Sequence, residues 1–229
     1  MFRIVYWLFS YLGIMIIWAT FAVGFRYDPQ APARNIAFNV LLYGAFVALH
    51  IAMTMPAVKR ALFRDRAGTG FERRVYIGVT IVTWLAVYWL HKPTGGFGWS
   101  APTWLQYVGM CAYLLCMLAF FQTTRFEDLK GFVGMPGSEL SYSAGAETPL
   151  LVDGPYAKVR HPMYQSAILG YAASLLIHPN AGQLLFAVML SATFIAFIPF
   201  EEHQLLRARG NEYRAYMTRT PFRLVPGVW

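Results

Sequence analysis

Charge is what this sequence has least of. Asp, Glu, Lys and Arg make up only 13% of its 229 residues, about half of the roughly 25% with which a soluble domain coats its surface. Against 57% hydrophobic residues, that shortage excludes an ordinary water-facing globule. Lipid is the solvent that accepts such a surface. Negative charge is scarcer still: 11 acidic residues stand against 19 basic ones, for a net charge of +8. The sequence has no basic stripe and no aromatic platform for RNA, so a nucleic-acid partner is not expected. The cations are read instead as loop residues that hold one orientation against anionic lipid. Cysteine is nearly absent. Cys111 and Cys116 lie in one apolar run without metal-ligand spacing, which excludes a disulfide framework and leaves helix-packing thiols. Internal repeats, low-complexity tracts and a strand-flanked G-x-G-x-x-G are also missing, so no Rossmann-type nucleotide site is expected.

What the sequence does have is long apolar runs. Residues 4–25 carry no charge and at 1.5 Å per residue are long enough to cross about 30 Å of hydrocarbon. Arg3 ahead of them resembles a signal-peptide n-region, but the run is too long for a signal core. Further runs cover 36–58, 75–91, 104–124, 163–177 and 181–200. The fifth reaches only about 22 Å as a helix. It is therefore expected to form a short or tilted hairpin with the sixth around His178-Pro179-Asn180. The fold expected is an all-α integral membrane protein of five to six transmembrane helices.

The cations orient it. Arg3, the cluster Lys59, Arg60, Arg64, Arg66, Arg73 and Arg74, then Arg125, Lys130, Lys158 and Arg160, and the tail residues Arg207, Arg209, Arg214, Arg219 and Arg223 all fall on one side. Arg26, Arg34 and Lys92 fall on the other. The positive-inside rule then places both termini in the cytoplasm, in what is expected to be a bacterial inner membrane. The polar insertion 126–153, rich in Gly and Pro, reads as an ordered cytoplasmic loop or a partly mobile lid.

Two segments concentrate chemistry on that side. Gly154-Pro155-Tyr156-Ala157-Lys158-Val159-Arg160-His161-Pro162-Met163-Tyr164 opens the fifth run. Its prolines restrict the backbone, and Pro162 suits a helix start, where its missing N–H is not needed. Arg160, His161, Tyr156 and Tyr164 bring donors and rings to the membrane boundary, either as a site or as an interfacial anchor. The second segment, Glu201-Glu202-His203-Gln204-Leu205-Leu206-Arg207, ends the sixth run. Adjacent carboxylates at a helix C-terminus are disfavoured by the macrodipole and by the membrane unless a cation meets them. An amphipathic continuation burying Leu205, Leu206 and Tyr213 is expected, with Arg207 close enough to pair with Glu201 or His203; a plain solvated face is the alternative. His50 stands in the middle of the second run, where an ionisable residue is either functional or a neutral hydrogen-bonding group between helices.

These residues carry a resemblance. Gly154-Pro155-Tyr156-x-x-Val159-Arg160-His161-Pro162-x-Tyr164, followed by Glu201-Glu202-x-x-Leu205 and Gly210-x-x-Tyr213-x-x-Tyr216, resembles the isoprenylcysteine carboxyl methyltransferase and phospholipid methyltransferase superfamily. His50-x-x-Met53-x-x-Pro56-x-x-Lys59-Arg60, Glu72-Arg73-x-x-Tyr76 and Phe126-Glu127-x-Leu129-x-Gly131 look like its methanethiol S-methyltransferase branch. The stretch 133–147 is longer than that branch leads one to expect.

A single domain over 1–229 is expected, with a four-helix part (1–124) and a part (125–229) that the resemblance, which runs from about residue 40 to the C-terminus, implies binds S-adenosylmethionine at the cytoplasmic face. It implies Tyr156, Val159, Arg160, His161, Tyr164, Glu201 and Glu202 as cofactor-site residues. Glu201, Arg207 and His161 are then the catalytic candidates, and His50 and Tyr164 the substrate candidates, with no metal. The reaction implied is methyl transfer to a small thiol, as from methanethiol to dimethyl sulfide. Prenylcysteine carboxylate and phospholipid amines are alternative acceptors within the same fold. Outside it, a haem-binding membrane isomerase and a small transporter are the readings of a different class.

Overall fold

The computed structural model describes residues 2–123 and 150–229. The sequence motif 126–131 and the long stretch 133–147 lie outside the described residues. Among the described residues eight α-helices run in order: α1 (Phe2–Val23), α2 (Arg34–Ala52), α3 (Pro56–Phe63), α4 (Gly70–Leu90), α5 (Thr103–Thr123), α6 (Pro162–Ile177), α7 (Ala181–Arg209) and α8 (Asn211–Arg219). Short 3-10 turns cover Arg64–Arg66 and Gly154–Ala157. Among the described residues there is no β-strand beyond isolated bridges. Three helices among the described residues, Arg34–Ala52, Thr103–Thr123 and Ala181–Arg209, are long and apolar enough to cross a membrane.

The apolar runs become helices, but two boundaries move. The second run does not continue to residue 58. Pro56 disfavours the helical conformation at the residue before it, and Met55 is extended (φ −72°, ψ 131°) with Pro56 at the first turn of α3. The sixth run does not stop at residue 200. α7 continues through Pro199 and both glutamates to Arg209. Pro199 has no N–H, so the carbonyl one turn earlier loses its intrahelical donor just before the carboxylates.

α5 and α6 form the tightest pair, α7 packs on α6, and α1 leans on α4, α5 and α6. The core is largely aromatic: Trp18, Phe21, Phe25, Tyr43, Trp84, Tyr113, Tyr171 and Phe186 are all buried. Phe25 and Phe186 stack at 3.9 Å, Phe21 and Tyr171 at 4.6 Å. Leu41, Val82, Leu115, Leu169 and Val188 point outward, Leu41 at 73% exposure, as a lipid-facing surface requires. Cys116 is half-buried, but Cys111 is exposed, so only the former is in a position to act as a packing thiol.

At one end of the helices the connections are sealed by satisfied polar groups. Asn39 Nδ2 donates to the Lys92 carbonyl (2.9 Å) and Asn39 Oδ1 accepts from Lys92 N (3.0 Å). Asn35 Nδ2 reaches Pro93 O (2.9 Å), and Gln183 Nε2 reaches Ser174 Oγ (2.6 Å). Asn180 caps α7 by accepting from Gln183 N (2.9 Å). At the other end Lys59 pairs with the buried Glu72 (2.6 Å), whose second oxygen accepts from Gly68 N (2.6 Å). That pair fixes the start of α4.

Small residues permit the closest helix approach. A Cβ added at Gly109 on α5 would lie 2.8 Å from Leu176 Cβ and 3.2 Å from the Ala173 carbonyl, whereas one at Gly78 meets nothing within 4 Å. Gly109→Val is expected to destabilise the protein by about 1–3 kcal/mol through overpacking. Gly78→Ala is expected to be neutral or to stabilise by about 0.4–1 kcal/mol. Thermal melts of the detergent-solubilised protein check both.

Candidate active site

The segment before α6 is shaped by its prolines and by the tail. Gly154 takes φ +61°, a conformation glycine adopts without strain, and Pro155 opens the 3-10 turn. The chain then leads into α6, which begins at Pro162. This stretch pairs with the tail beyond α8: Arg160 N donates to Phe222 O and His161 N to Arg223 O, both at 2.9 Å. Gln165 Nε2 donates to Leu224 O (2.7 Å), and Tyr216 Oη on α8 to Tyr156 O (2.8 Å). Gly210 (φ +52°) ends α7 and lets α8 turn back toward this segment.

Three cationic groups converge on Glu202, which is only 3% exposed. Arg160 Nε donates to its Oε1 at 2.7 Å and Arg223 Nε to its Oε2 at 3.0 Å. His161 Nε2 lies 3.3 Å from Oε1. The same Arg160 guanidinium also donates to the carbonyls of Thr220 (2.8 Å) and Pro221 (2.7 Å). One side chain therefore bridges the motif, the double glutamate and the tail.

Glu201 is held differently. Its Oε2 accepts from Tyr164 Oη at 2.7 Å and lies 3.5 Å from His161 Nδ1, and its side chain remains 36% exposed. His161 therefore stands between the two carboxylates, and its ring stacks on Tyr164 at 5.4 Å. Beside this group a cleft of about 460 Å³ is lined by Gly154, Pro155, Lys158, Val159, Pro162 and Gln165.

Electrostatics separate the pair. Burial alone would raise the pKa of Glu202, but the hydrogen bonds from His161, Arg160 and Arg223 reverse this and hold it at about 2. At His161 burial disfavours the imidazolium, yet the carboxylates of Glu201 and Glu202 together outweigh it and raise the pKa above the ordinary histidine value of 6.5. Both groups lie beyond the apolar stretches of α6 and α7.

Of the residues singled out in the sequence, Arg160, His161, Tyr164, Glu201 and Glu202 meet in one cluster. Tyr156 contributes its carbonyl to Tyr216, and Val159 is buried beside the cleft. Arg207 does not join them. It is exposed, as is His203, and the expected pairing with Glu201 or His203 is absent among the described residues. At about 100° per residue, Arg207 sits roughly 120–140° around the helix from both glutamates. The cation that meets Glu202 beside Arg160 is Arg223, which the sequence reading used only for topology. Its signal was available: a carboxylate this buried needs more than one donor, and the tail had cations to spare. His50 lies apart from this cluster on α2, hydrogen-bonded to Tyr76 and Thr80 of α4.

Comparison with known proteins gives a consistent set of matches. The phospholipid methyltransferase family model matches residues 105–210. Methanethiol S-methyltransferase 2 of Bradyrhizobium diazoefficiens is 30% identical over 235 residues, covering 96% of this chain and 83% of that protein. Methanethiol S-methyltransferase of Mycobacterium tuberculosis is 26% identical over 235 residues, covering 93% and 91%. Its namesake in Pseudomonas deceptionensis is 25% identical over 185 residues, covering 78% and 68%. No solved structure matches.

The pKa shifts predict opposite pH dependences. The raised pKa of His161 contributes stability that is complete below 6.5 and is lost as pH rises through the raised value. The depressed pKa of Glu202 contributes stability present above 4.5 and lost as pH falls toward about 2. His161→Gln is therefore expected to lower the melting temperature more at pH 6 than at pH 9. Melting curves of both proteins across that range check this.

Proposed function

The chain belongs to the phospholipid methyltransferase and isoprenylcysteine carboxyl methyltransferase superfamily, alongside proteins named methanethiol S-methyltransferases, and from that premise we propose that it methylates a small thiol with S-adenosylmethionine at its cytoplasmic face. The observation that carries the reading is the unequal pair of carboxylates. Glu202 is buried and fully matched by cations, whereas Glu201 is accessible and keeps Oε1 without a hydrogen-bond partner among the described residues.

The donor set fits a ligand bearing a sulfonium, an ammonium, a carboxylate and a planar base. Glu201 offers negative charge to the cationic groups. The stacked faces of His161 and Tyr164 offer a flat surface to the base, and Val159 lines the cleft. When bound, S-adenosylmethionine supplies a methyl group already activated on a sulfonium sulfur. What remains for the protein is alignment, which is worth several orders of magnitude in rate, and removal of the thiol proton, because the thiolate is the nucleophile.

Glu201 is the proton acceptor in this proposal. Tyr164 and His161 fix its position, and its exposure lets the proton pass on to water. The thiol sulfur forms the new carbon–sulfur bond with its own electron pair, and the pair of the broken bond stays on the donor sulfur. Arg160, Glu202 and Arg223 hold the framework, and Arg207 is assigned no step. A small apolar thiol enters from the bilayer, while the charged donor arrives from the cytosol. His50 offers no nitrogen to a haem iron in this arrangement, since Tyr76 and Thr80 occupy both.

S-adenosylhomocysteine is expected to bind the purified protein, and Glu201→Ala and His161→Ala are each expected to weaken that binding about tenfold or more, measured by calorimetry. Normal binding by both variants would remove the site assignment. With labelled donor, methanethiol is expected to be methylated in preference to larger thiols, prenylcysteine and lipid amines. Transfer only to a carboxylate or an amine would overturn the thiol proposal.

A further inference from the structure

A second polar cluster lies on α2 and α4, and its hydrogen-bond directions can be worked out. Thr80 Oγ1 gives its single proton to the Tyr76 carbonyl at 2.8 Å. Toward His50 Nδ1, 3.2 Å away, it can therefore only accept. Nδ1 must carry the ring proton, so in the neutral imidazole Nε2 is a bare acceptor. Tyr76 Oη lies 2.5 Å from Nε2 and spends its own proton there. Toward any third group, the Tyr76 oxygen presents only lone pairs.

The surroundings of this oxygen are selective. The Arg73 guanidinium covers the Tyr76 ring at 5.1 Å, and Tyr76 is only partly buried. Its hydroxyl lies within electrostatic range of the Glu201 carboxylate. A wall of rings also joins the two clusters. Tyr164 meets Phe194 at 4.7 Å and Phe194 meets Tyr171 at 6.3 Å. Phe21 then links Tyr171 to Trp84 at 5.6 Å, and Phe46 meets Trp84 at 5.3 Å and His50 at 5.8 Å.

We propose that Tyr76 Oη is the acceptor-side contact of the methylation site, taking a hydrogen bond from the S–H of a small thiol as it binds, before that proton passes to Glu201, with His50 and Thr80 as positioning residues that keep the Tyr76 proton turned away. The inference rests on the thiol methyltransferase reading above. It explains discrimination by what the oxygen cannot do. A carboxylate has no proton to give and meets lone pairs, which is repulsive. A charged amine must leave water for an aromatic wall. A thioether product has lost the S–H, so the contact that held the substrate vanishes on methylation and the product is released.

Tyr76→Phe removes only the oxygen. In this variant S-adenosylhomocysteine affinity is expected to stay within twofold of wild type, while KM for methanethiol rises about tenfold, the factor a contact of about 1.4 kcal/mol is worth, with a smaller change in kcat. A binding measurement independent of turnover gives a second readout. Protein saturated with S-adenosylhomocysteine is expected to bind methanethiol more tightly than dimethyl sulfide, and Tyr76→Phe to abolish the difference. His50→Gln, which keeps an acceptor for the Tyr76 proton, is expected to retain the preference, and His50→Leu to lose it. The His50 pair keeps the test decisive if Tyr76→Phe does not fold. A wild-type KM and an undiminished preference in Tyr76→Phe, or in His50→Leu, overturn the inference. If the wild-type protein methylates no thiol, the underlying functional reading fails instead.

Discussion

Everything at the end of the helices that holds the double glutamate depends on keeping one carboxylate out of water. Glu202 sits near the C-terminal end of a long helix, where the macrodipole disfavours negative charge, and is almost completely buried. An ion in such a place is tolerated only when its lone pairs are matched by good donors, since the effective desolvation penalty is several kcal/mol. Arg160, Arg223 and His161 supply them. Meeting that requirement fixes much else. Arg160 must approach from the segment before α6, and Arg223 must return from beyond α8. The backbone of the two segments then pairs where they pass.

This arrangement separates structural charge from usable charge. Two carboxylates adjacent in sequence have opposite surroundings, because successive helix positions differ by about 100° in direction. Glu202 faces the tail and is neutralised; Glu201 faces the Tyr164 ring and solvent. The distal end of the helices has the contrary character. Its polar groups, from Asn35 and Asn39 to Gln183 and Ser174, are satisfied by one another and act as a seal, with the aromatic core between the two ends.

Much of the fold was legible because hydropathy is a local property. Each apolar run became a helix, and the helical start at Pro162 followed from a missing N–H. The break at Met55 was also written in the sequence, in Pro56, but the hydropathy of the run masked it. The cluster of Arg160, His161, Tyr164, Glu201 and Glu202 was legible through motif resemblance. The choice of counter-ion was not. Arg207 is near Glu202 in sequence but on another side of the helix, whereas Arg223 reaches it only because Gly210 reverses the chain. The partners of His50 were equally hidden, since the contact with Tyr76 depends on how the α2–α3–α4 turns close, which the Lys59–Glu72 pair sets.

The tail strap has a consequence in time. Arg160 is bound to carbonyls 60 and 61 residues further along the chain. At a synthesis rate of about 5–20 residues per second, Arg160 is made about 3–12 s, and the two glutamates of α7 about 1–4 s, before the tail segment that locks them. During that interval Glu202 lacks Arg223, and the Arg160 guanidinium has no carbonyls to grip. This end of the molecule is therefore the last part to be completed, so the helices are made first and the contacts that lock the two glutamates in place form only afterwards.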